Sequence, residues 1–384
     1  MYKIPLYSKT PEYTGFPEFY DRAKGVHVWI KGKKYLDMCH HLGNTMLGTS
    51  NNYVNHHVKK CIDKGNTSLL NHRYMEKLSN LLLGAHQWAD AVRFCNSGGE
   101  AMKLALDLAE EKIKEEYPNM AYYINQLYGY NGWHIKNIKE NGKFKHYVYN
   151  KINDILKRTN RPEILVFELI RHEYPKPGTI ALLKKWQEQG TILVLDEITS
   201  GFKFNCGGAH LLYDLEPDIC VFSKAIGNGY PISVIIGKER YMKSNLFISS
   251  TNWTDGIGFV AGYHTIKALK HCNYRYIVKL GSSMMQIWRT CANANNVKIK
   301  VGEVPSIANF EFEYENKLDI KAYFIQEMLK EGILASDQFY PSFAHKWEHI
   351  KQYTRACNKV FGKIRKNFDN IEKLVYNKLK ILDK

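Results

Sequence analysis

Four short apolar runs in the middle of the chain constrain its fold more than any other feature. They are Ile164-Leu165-Val166-Phe167, Thr191-Ile192-Leu193-Val194-Leu195, Ile219-Cys220-Val221-Phe222 and Val234-Ile235-Ile236. Each has the length of a strand, and none alternates with charged residues, so each reads as a strand buried on both faces. Residues 179 to 188, between the first two runs, read as an amphipathic helix. Strand–helix alternation of this kind predicts an α/β fold with a mixed, mostly parallel sheet flanked by helices. Such sheets gather functional groups at the C-terminal ends of their strands. Glu168, Asp196 and Lys224 end or follow three of the runs.

A chain of 384 residues has material for two domains and a sizeable core. The expected division is an N-terminal segment (1–50) contributing to a small domain, a large domain (51–268), and a small C-terminal α+β domain (269–384). Residues 26 to 38 read as two short strands about a turn, and Ile307 to Phe312 as another β segment. No apolar run spans a bilayer, and the N-terminus lacks a signal peptide's apolar stretch, so a cytoplasmic location is expected. The eight cysteines contain no CxxC pair, so no metal site is expected and the thiols read as reduced. The net charge of +16 admits an anionic partner, but the lysines are spread along the chain and no nucleic-acid-binding motif accompanies them. Neither a nucleic-acid nor a membrane partner is expected.

Lys224 lies in Ser223-Lys224-Ala225-Ile226-Gly227-Asn228-Gly229-Tyr230-Pro231, a glycine-rich loop after a strand. Upstream, Asp196 opens Asp196-Glu197-Ile198-Thr199-Ser200-Gly201-Phe202-Lys203. An amine that can form a Schiff base and a carboxylate that can keep a ring nitrogen protonated are the two parts a pyridoxal phosphate (PLP) enzyme needs. Asn96-Ser97-Gly98-Gly99-Glu100-Ala101 opens a helix whose apolar positions are Met102, Ala105, Leu106, Ala109 and Ile113, with Ser97 and Glu100 spaced as a capping box.

In this order the motifs, with Gly207-Gly208-Ala209 and Pro217-Asp218, resemble those of class III PLP-dependent aminotransferases, a fold-type I group. The likeness is greatest to the glutamate-1-semialdehyde aminomutase branch and runs from about residue 25 to the C-terminus. It implies PLP as cofactor, bound through Lys224, with Asp196 at the pyridinium nitrogen. It implies Ser97, Gly98 and Gly99 at the phosphate, where Gly99 replaces the family's threonine. Tyr130 and Ile198 would cover the two ring faces, and Glu168 would lie near the ring hydroxyl. Thr251 would reach the phosphate of a neighbouring subunit, which implies a homodimer with shared active sites.

The substrate-facing positions depart from that branch. Its Ser-Ala-Phe-Glu element reads Asp337-Gln338-Phe339-Tyr340, and its Ser-Trp-Gly-Pro-Met element reads His41-Leu42-Gly43-Asn44-Thr45. These changes argue against glutamate 1-semialdehyde as substrate. His41, Arg73 and Tyr340 are the candidate substrate contacts, the first two suited to an anionic group. The expected activity is transfer of an amino group from an amino acid, with glutamate favoured, to a specialised ketone or aldehyde, phosphorylated or sugar-linked. The alternatives are an aminomutase, which moves an amine within one skeleton, and a catalytically silent relative that binds an anion.

Overall fold

Each apolar run becomes a strand of one seven-stranded sheet. The computed structural model describes residues 17, 19–117, 122–127, 144–149, 151–157 and 161–375. Among them the sheet comprises β1 (Ala91–Cys95), β2 (Tyr122–Leu127), β3 (Phe144–Tyr149), β4 (Ile164–Phe167), β5 (Ile192–Asp196), β6 (Ile219–Phe222) and β7 (Ser233–Gly237). The spatial order is β1-β7-β6-β5-β4-β2-β3. The five strands from β3 across to β6 run parallel, and β7 is antiparallel to both neighbours. The sheet is therefore mixed and mostly parallel.

Every residue of β4, β5, β6 and β7 is buried, which is why these runs carry no polar alternation. The main helices of this unit are α1 (Asn52–Asp63), α2 (Arg73–Ala85), α3 (Gly98–Glu116), α4 (Pro177–Glu188) and α5 (Gly256–Leu269). Helix α3 presses Met102, Ala105, Ala109 and Ile113 onto Ile164, Val166, Ile192, Val194, Ile219 and Val221. Those strand residues alternate along each strand, so they share one face of the sheet. Burial of each large side chain there contributes roughly 1.5–3 kcal/mol. The capping box at the start of α3 is formed: Glu100 N donates to Ser97 Oγ at 3.3 Å, and Ser97 N donates to Glu100 Oε2 at 2.9 Å. Pro177 opens α4, where a missing N–H costs nothing.

The chain divides into two compact units. One consists of Asn44–Leu47 and Asn51–Tyr274 and holds this sheet. The other consists of Met1–Gly43, Gly48–Ser50 and Arg275–Lys384. In the second unit, strands Arg22–Lys24, His27–Ile30 and Lys33–Asp37 form a meander, and Ile333–Leu334 adds to it in parallel. Segments from the two ends of the sequence thus share one sheet. Its core joins Trp288, Phe310, Phe312, Phe324, Tyr353 and Phe361, with Trp288 Nε1 donating to Tyr353 Oη at 2.8 Å.

Gly201 sits where the turn after β5 passes closest to β6. A methyl group there would lie 2.6 Å from both the Glu197 carbonyl oxygen and the Phe222 ring. Neither can yield, since one is backbone and the other a fully buried ring. Gly201→Ala is expected to destabilise the protein by about 1–3 kcal/mol. Urea denaturation checks this; an unchanged midpoint would contradict the packing described.

Candidate functional site

The sheet's register assembles the site. Phe167 pairs with Leu195 and Asp196 pairs with Val221, so the C-terminal ends of β4, β5 and β6 carry Glu168, Asp196 and the turn to Lys224 side by side. Asp196 is 1% exposed and accepts the Ile198 amide on Oδ1 at 2.9 Å. Burial pushes its carboxyl up to about 7, and the charge of Glu168 adds to the effect. Glu168 is 2% exposed and takes both carboxylate oxygens to Arg171 Nη1, at 2.7 and 3.0 Å.

Lys224 follows β6 in a left-handed conformation, φ 34°, and starts a single 3-10 turn that ends at Gly227. A left-handed L-residue costs roughly 1–2 kcal/mol, and strain of that kind concentrates at functional sites. Its Nζ donates to Thr199 Oγ1 at 2.8 Å. Burial lowers the amine to about 8, and the Arg171 charge lowers it further against the pull of Glu168 and Asp196. An amine so placed loses its proton more readily than an exposed lysine, which favours its action as a nucleophile.

The turn that carries Asp196, Ile198 and Thr199 is anchored from behind. Glu197 is fully buried; its carboxylate accepts His210 N at 2.9 Å, His210 Nδ1 at 3.0 Å and the Ser200 hydroxyl. Burial alone would push Glu197 up, but the His210 and Ser200 hydrogen bonds bring it below its usual value. Trp88 Nε1 donates to His210 Nε2 at 3.1 Å, which leaves the imidazole proton on Nδ1, facing Glu197. Beside it, His86 accepts Gly208 N on Nε2 and faces the Leu82 carbonyl with Nδ1, so it too is neutral. Burial, then His210, lowers His86 to about 4.

That shift has a sign. Between pH 6.5 and 4 the unfolded chain takes up a proton at His86 that the folded chain refuses, so stability falls as pH drops through this window. The His86 share is on the order of 3 kcal/mol at pH 4. Denaturation at pH 7 and pH 4.5 should show the loss, and His86→Gln should shrink the difference. An equal difference in both proteins would remove His86 from the account.

The remaining sequence candidates fall in three places. Gly98 and Gly99 open α3, and Gly98 adjoins Ile198, since a Cβ on Gly98 would meet Ile198 Cδ1 at 2.8 Å. The N-terminal turn of a 19-residue helix offers N–H groups and a positive dipole end there. The exposed Ser97 is engaged in its capping box. Thr251 is exposed and starts a short 3-10 turn tied to the same helix by Asn96 Nδ2 donating to Asn252 O at 3.2 Å. Arg73 is exposed at the first position of α2. His41 and Tyr340 belong to the second unit. His41 is exposed within His40–Gly43, four consecutive residues in left-handed conformation; Tyr340 is buried, its hydroxyl donating to Gln338 Oε1 at 2.6 Å. Tyr130 lies outside the described residues.

The structure adds Thr199, Arg171 and Lys203 to the neighbourhood. Lys203 is 1% exposed, and burial, then the Lys224 charge, lowers it to about 7. Thr199 lay inside the Asp196 motif, and Arg171 stood three residues after Glu168. Those spacings were the available signals.

PLP needs an amine for its aldehyde, an acid for its ring nitrogen, an apolar face and an anion cradle. Lys224, Asp196, Ile198 and the glycine-opened end of α3 offer those four groups, so the residues present fit it. A lysine and a buried acid on neighbouring strand ends of this sheet define a PLP-dependent enzyme of fold type I. The chain belongs to the class-III aminotransferase family, whose sequence profile matches residues 8–159 and 172–361. It is 24% identical over 400 residues to glutamate-1-semialdehyde 2,1-aminomutase 2 of Shouchella clausii, covering 91% of each chain. It is 27% identical over 279 residues to 3-aminobutyryl-CoA aminotransferase of Cloacimonas acidaminovorans, covering 66% of each. Among solved structures, the FumI protein of Sphingopyxis sp. MTA144, in its PLP internal aldimine form, superposes with a TM-score of 0.81 at 19% identity, over 92% of this chain and 91% of that one.

Proposed function

We propose that this protein is an aminotransferase that takes an amino group from an amino acid, with glutamate favoured, and delivers it to a specialised ketone or aldehyde, phosphorylated or sugar-linked. The observation that carries the reading is a pair. Lys224 Nζ, lowered to about 8, stands beside the strand end that holds the buried Asp196. Bound PLP supplies an aldehyde and an electron-withdrawing ring. Lys224 Nζ would hold that aldehyde, and its amine would serve as the base that moves the proton at the substrate Cα. Thr199 Oγ1 orients Nζ through their hydrogen bond. Asp196 would pair with the ring nitrogen, Ile198 would cover one face, and the α3 N-terminus with Gly98 and Gly99 would hold the phosphate. Glu168 serves the ring hydroxyl side. Arg73 receives an anionic substituent of the substrate, and Thr251 completes a neighbouring subunit's phosphate site in a homodimer.

The substrate-facing departures at His41 and Tyr340 favour this reading over glutamate 1-semialdehyde chemistry. Single amino acids presented to the PLP-loaded protein test it. One of them should bleach the cofactor's visible absorbance and release its keto acid. Turnover of one substrate with no donor would instead establish an aminomutase, and failure to take up PLP would leave an anion-binding relative.

A further inference from the structure

Glu168 directly follows β4 and Asp196 ends β5, and the pairing of Phe167 with Leu195 brings both to the same end of adjacent parallel strands, which lie about 4.8 Å apart in such sheets. They are 2% and 1% exposed. Two carboxylates buried this close resist both being charged, and one then keeps a proton. Asp196 must nevertheless hold a negative charge to stand against a protonated ring nitrogen. The groups facing Asp196 are few. Among the described residues, Glu168 and Arg171 come from the β4 side, Lys224 and the Cys220 thiol come from the β6 side, and the Ile198 amide of its own turn donates to it. The Lys224 charge is committed to its own chemistry, because an amine that attacks an aldehyde must first lose its proton. A guanidinium stays charged at every accessible pH. Arg171 grips both Glu168 oxygens with one nitrogen, three residues further along the chain.

We propose that Arg171 is a positioning residue that acts through Glu168: its ion pair offsets part of the Glu168 charge and thereby eases the ionisation of Asp196 behind the cofactor ring. The inference rests on the role given to Asp196 above. The guanidinium holds the carboxylate through Nη1 and does not discharge.

The test uses Arg171→Gln, Arg171→Lys, Glu168→Gln and the Glu168→Gln/Arg171→Gln double variant. The first readout needs no cofactor. Carboxyl carbon resonances of the labelled protein are titrated, and the Asp196 signal is identified by its loss in Asp196→Asn. Arg171→Gln should raise the Asp196 midpoint by about one unit or more. Glu168→Gln should lower it, the double variant should return it to the wild-type value or below, and Arg171→Lys should retain most of the wild-type position. A merely structural role for the ion pair would cost stability and leave the midpoint in place. An unmoved midpoint in Arg171→Gln overturns the proposal, as does a double variant no different from Arg171→Gln. If Arg171→Gln does not fold, Glu168→Gln decides alone, and a midpoint that fails to fall there overturns it. In the loaded protein, the half-reaction with an amino acid should slow about tenfold in Arg171→Gln, one unit being one decade, and recover in the double variant. A loaded Asp196→Asn protein that reacts at the normal rate would sink the Asp196 role while leaving the cofactor-free titration as a separate result.

Discussion

Lys224→Ala is expected to fold, bind PLP weakly and without a covalent link, and turn over at least about 10³-fold more slowly than the parent protein. The loss is large because the amine does two jobs. It presents the aldehyde in a reactive form, and it is the base nearest the substrate Cα. A small free amine in the buffer should restore part of the proton transfer, since the deletion leaves room where Nζ stood. Stability moves the other way. Burial holds the Lys224 amine at about 8, below its ordinary 10.5. Below pH 8 the folded chain therefore carries a charge that is easier to hold in water. Between pH 8 and 10.5 the unfolded chain keeps a proton that the folded one has lost, so stability rises with pH across that window. Lys224→Met, which keeps the apolar stem, should be more stable than the parent at pH 7 by on the order of 1–3 kcal/mol, with the gap closing toward pH 10.5. Denaturation at pH 7 and 10 with parallel half-reaction rates checks both signs. Near-normal turnover in Lys224→Ala would end the assignment.

How much of this was open to reading depends on what each residue touches. Strands β4, β5 and β6 announce themselves because both of their faces are buried, so nothing polar interrupts them. Strands β2 and β3 do not. They occupy one edge of the sheet, and their sequences interleave Asn, Gln, Lys and His with aromatic residues. Strand β1 hides an arginine at its centre, whose guanidinium reaches the Met242 carbonyl at 2.7 Å. The Asp196 and Lys224 motifs were legible because glycine and turn chemistry mark them locally. Thr199 was not singled out, because its partner Lys224 is 25 residues away and only the β5–β6 register brings them together. The left-handed run at His40, His41 and Leu42 has no local signature at all. Histidine enters the left-handed region more readily than most residues, but nothing in the local sequence marks three such residues in a row. Asp37 Oδ1 takes the amides of Cys39 and His40 at 3.0 and 2.8 Å, and the His40 ring packs against His345.

Asp196→Asn is expected to separate stability from activity more sharply than any other substitution in the chain. In the cofactor-free protein, burial and Glu168 raise this carboxyl from 3.8 to about 7. The folded chain thus holds its proton more tightly than the unfolded chain does, and stability is lost as pH rises from about 4 to 7. Asparagine has the same shape, still accepts the Ile198 amide, and carries no charge to desolvate. The variant should match the parent near pH 4 and exceed it by on the order of 3 kcal/mol above pH 7. Its activity should fall by roughly 10²–10³-fold, the usual cost of removing one aimed electrostatic group from an active site. The cofactor should still bind, because the α3 N-terminus and Lys224 are untouched. The Ile198 amide is the hydrogen bond given for this buried carboxylate, and a ligand cation facing it would offset the cost of its charge. PLP added to the parent should erase most of the stability difference at pH 8, because the ring nitrogen's proton then sits against the carboxylate. If the parent and the variant denature alike at pH 8 without cofactor, Asp196 is not strained by burial. If they also turn over alike, the acid has no part in the chemistry.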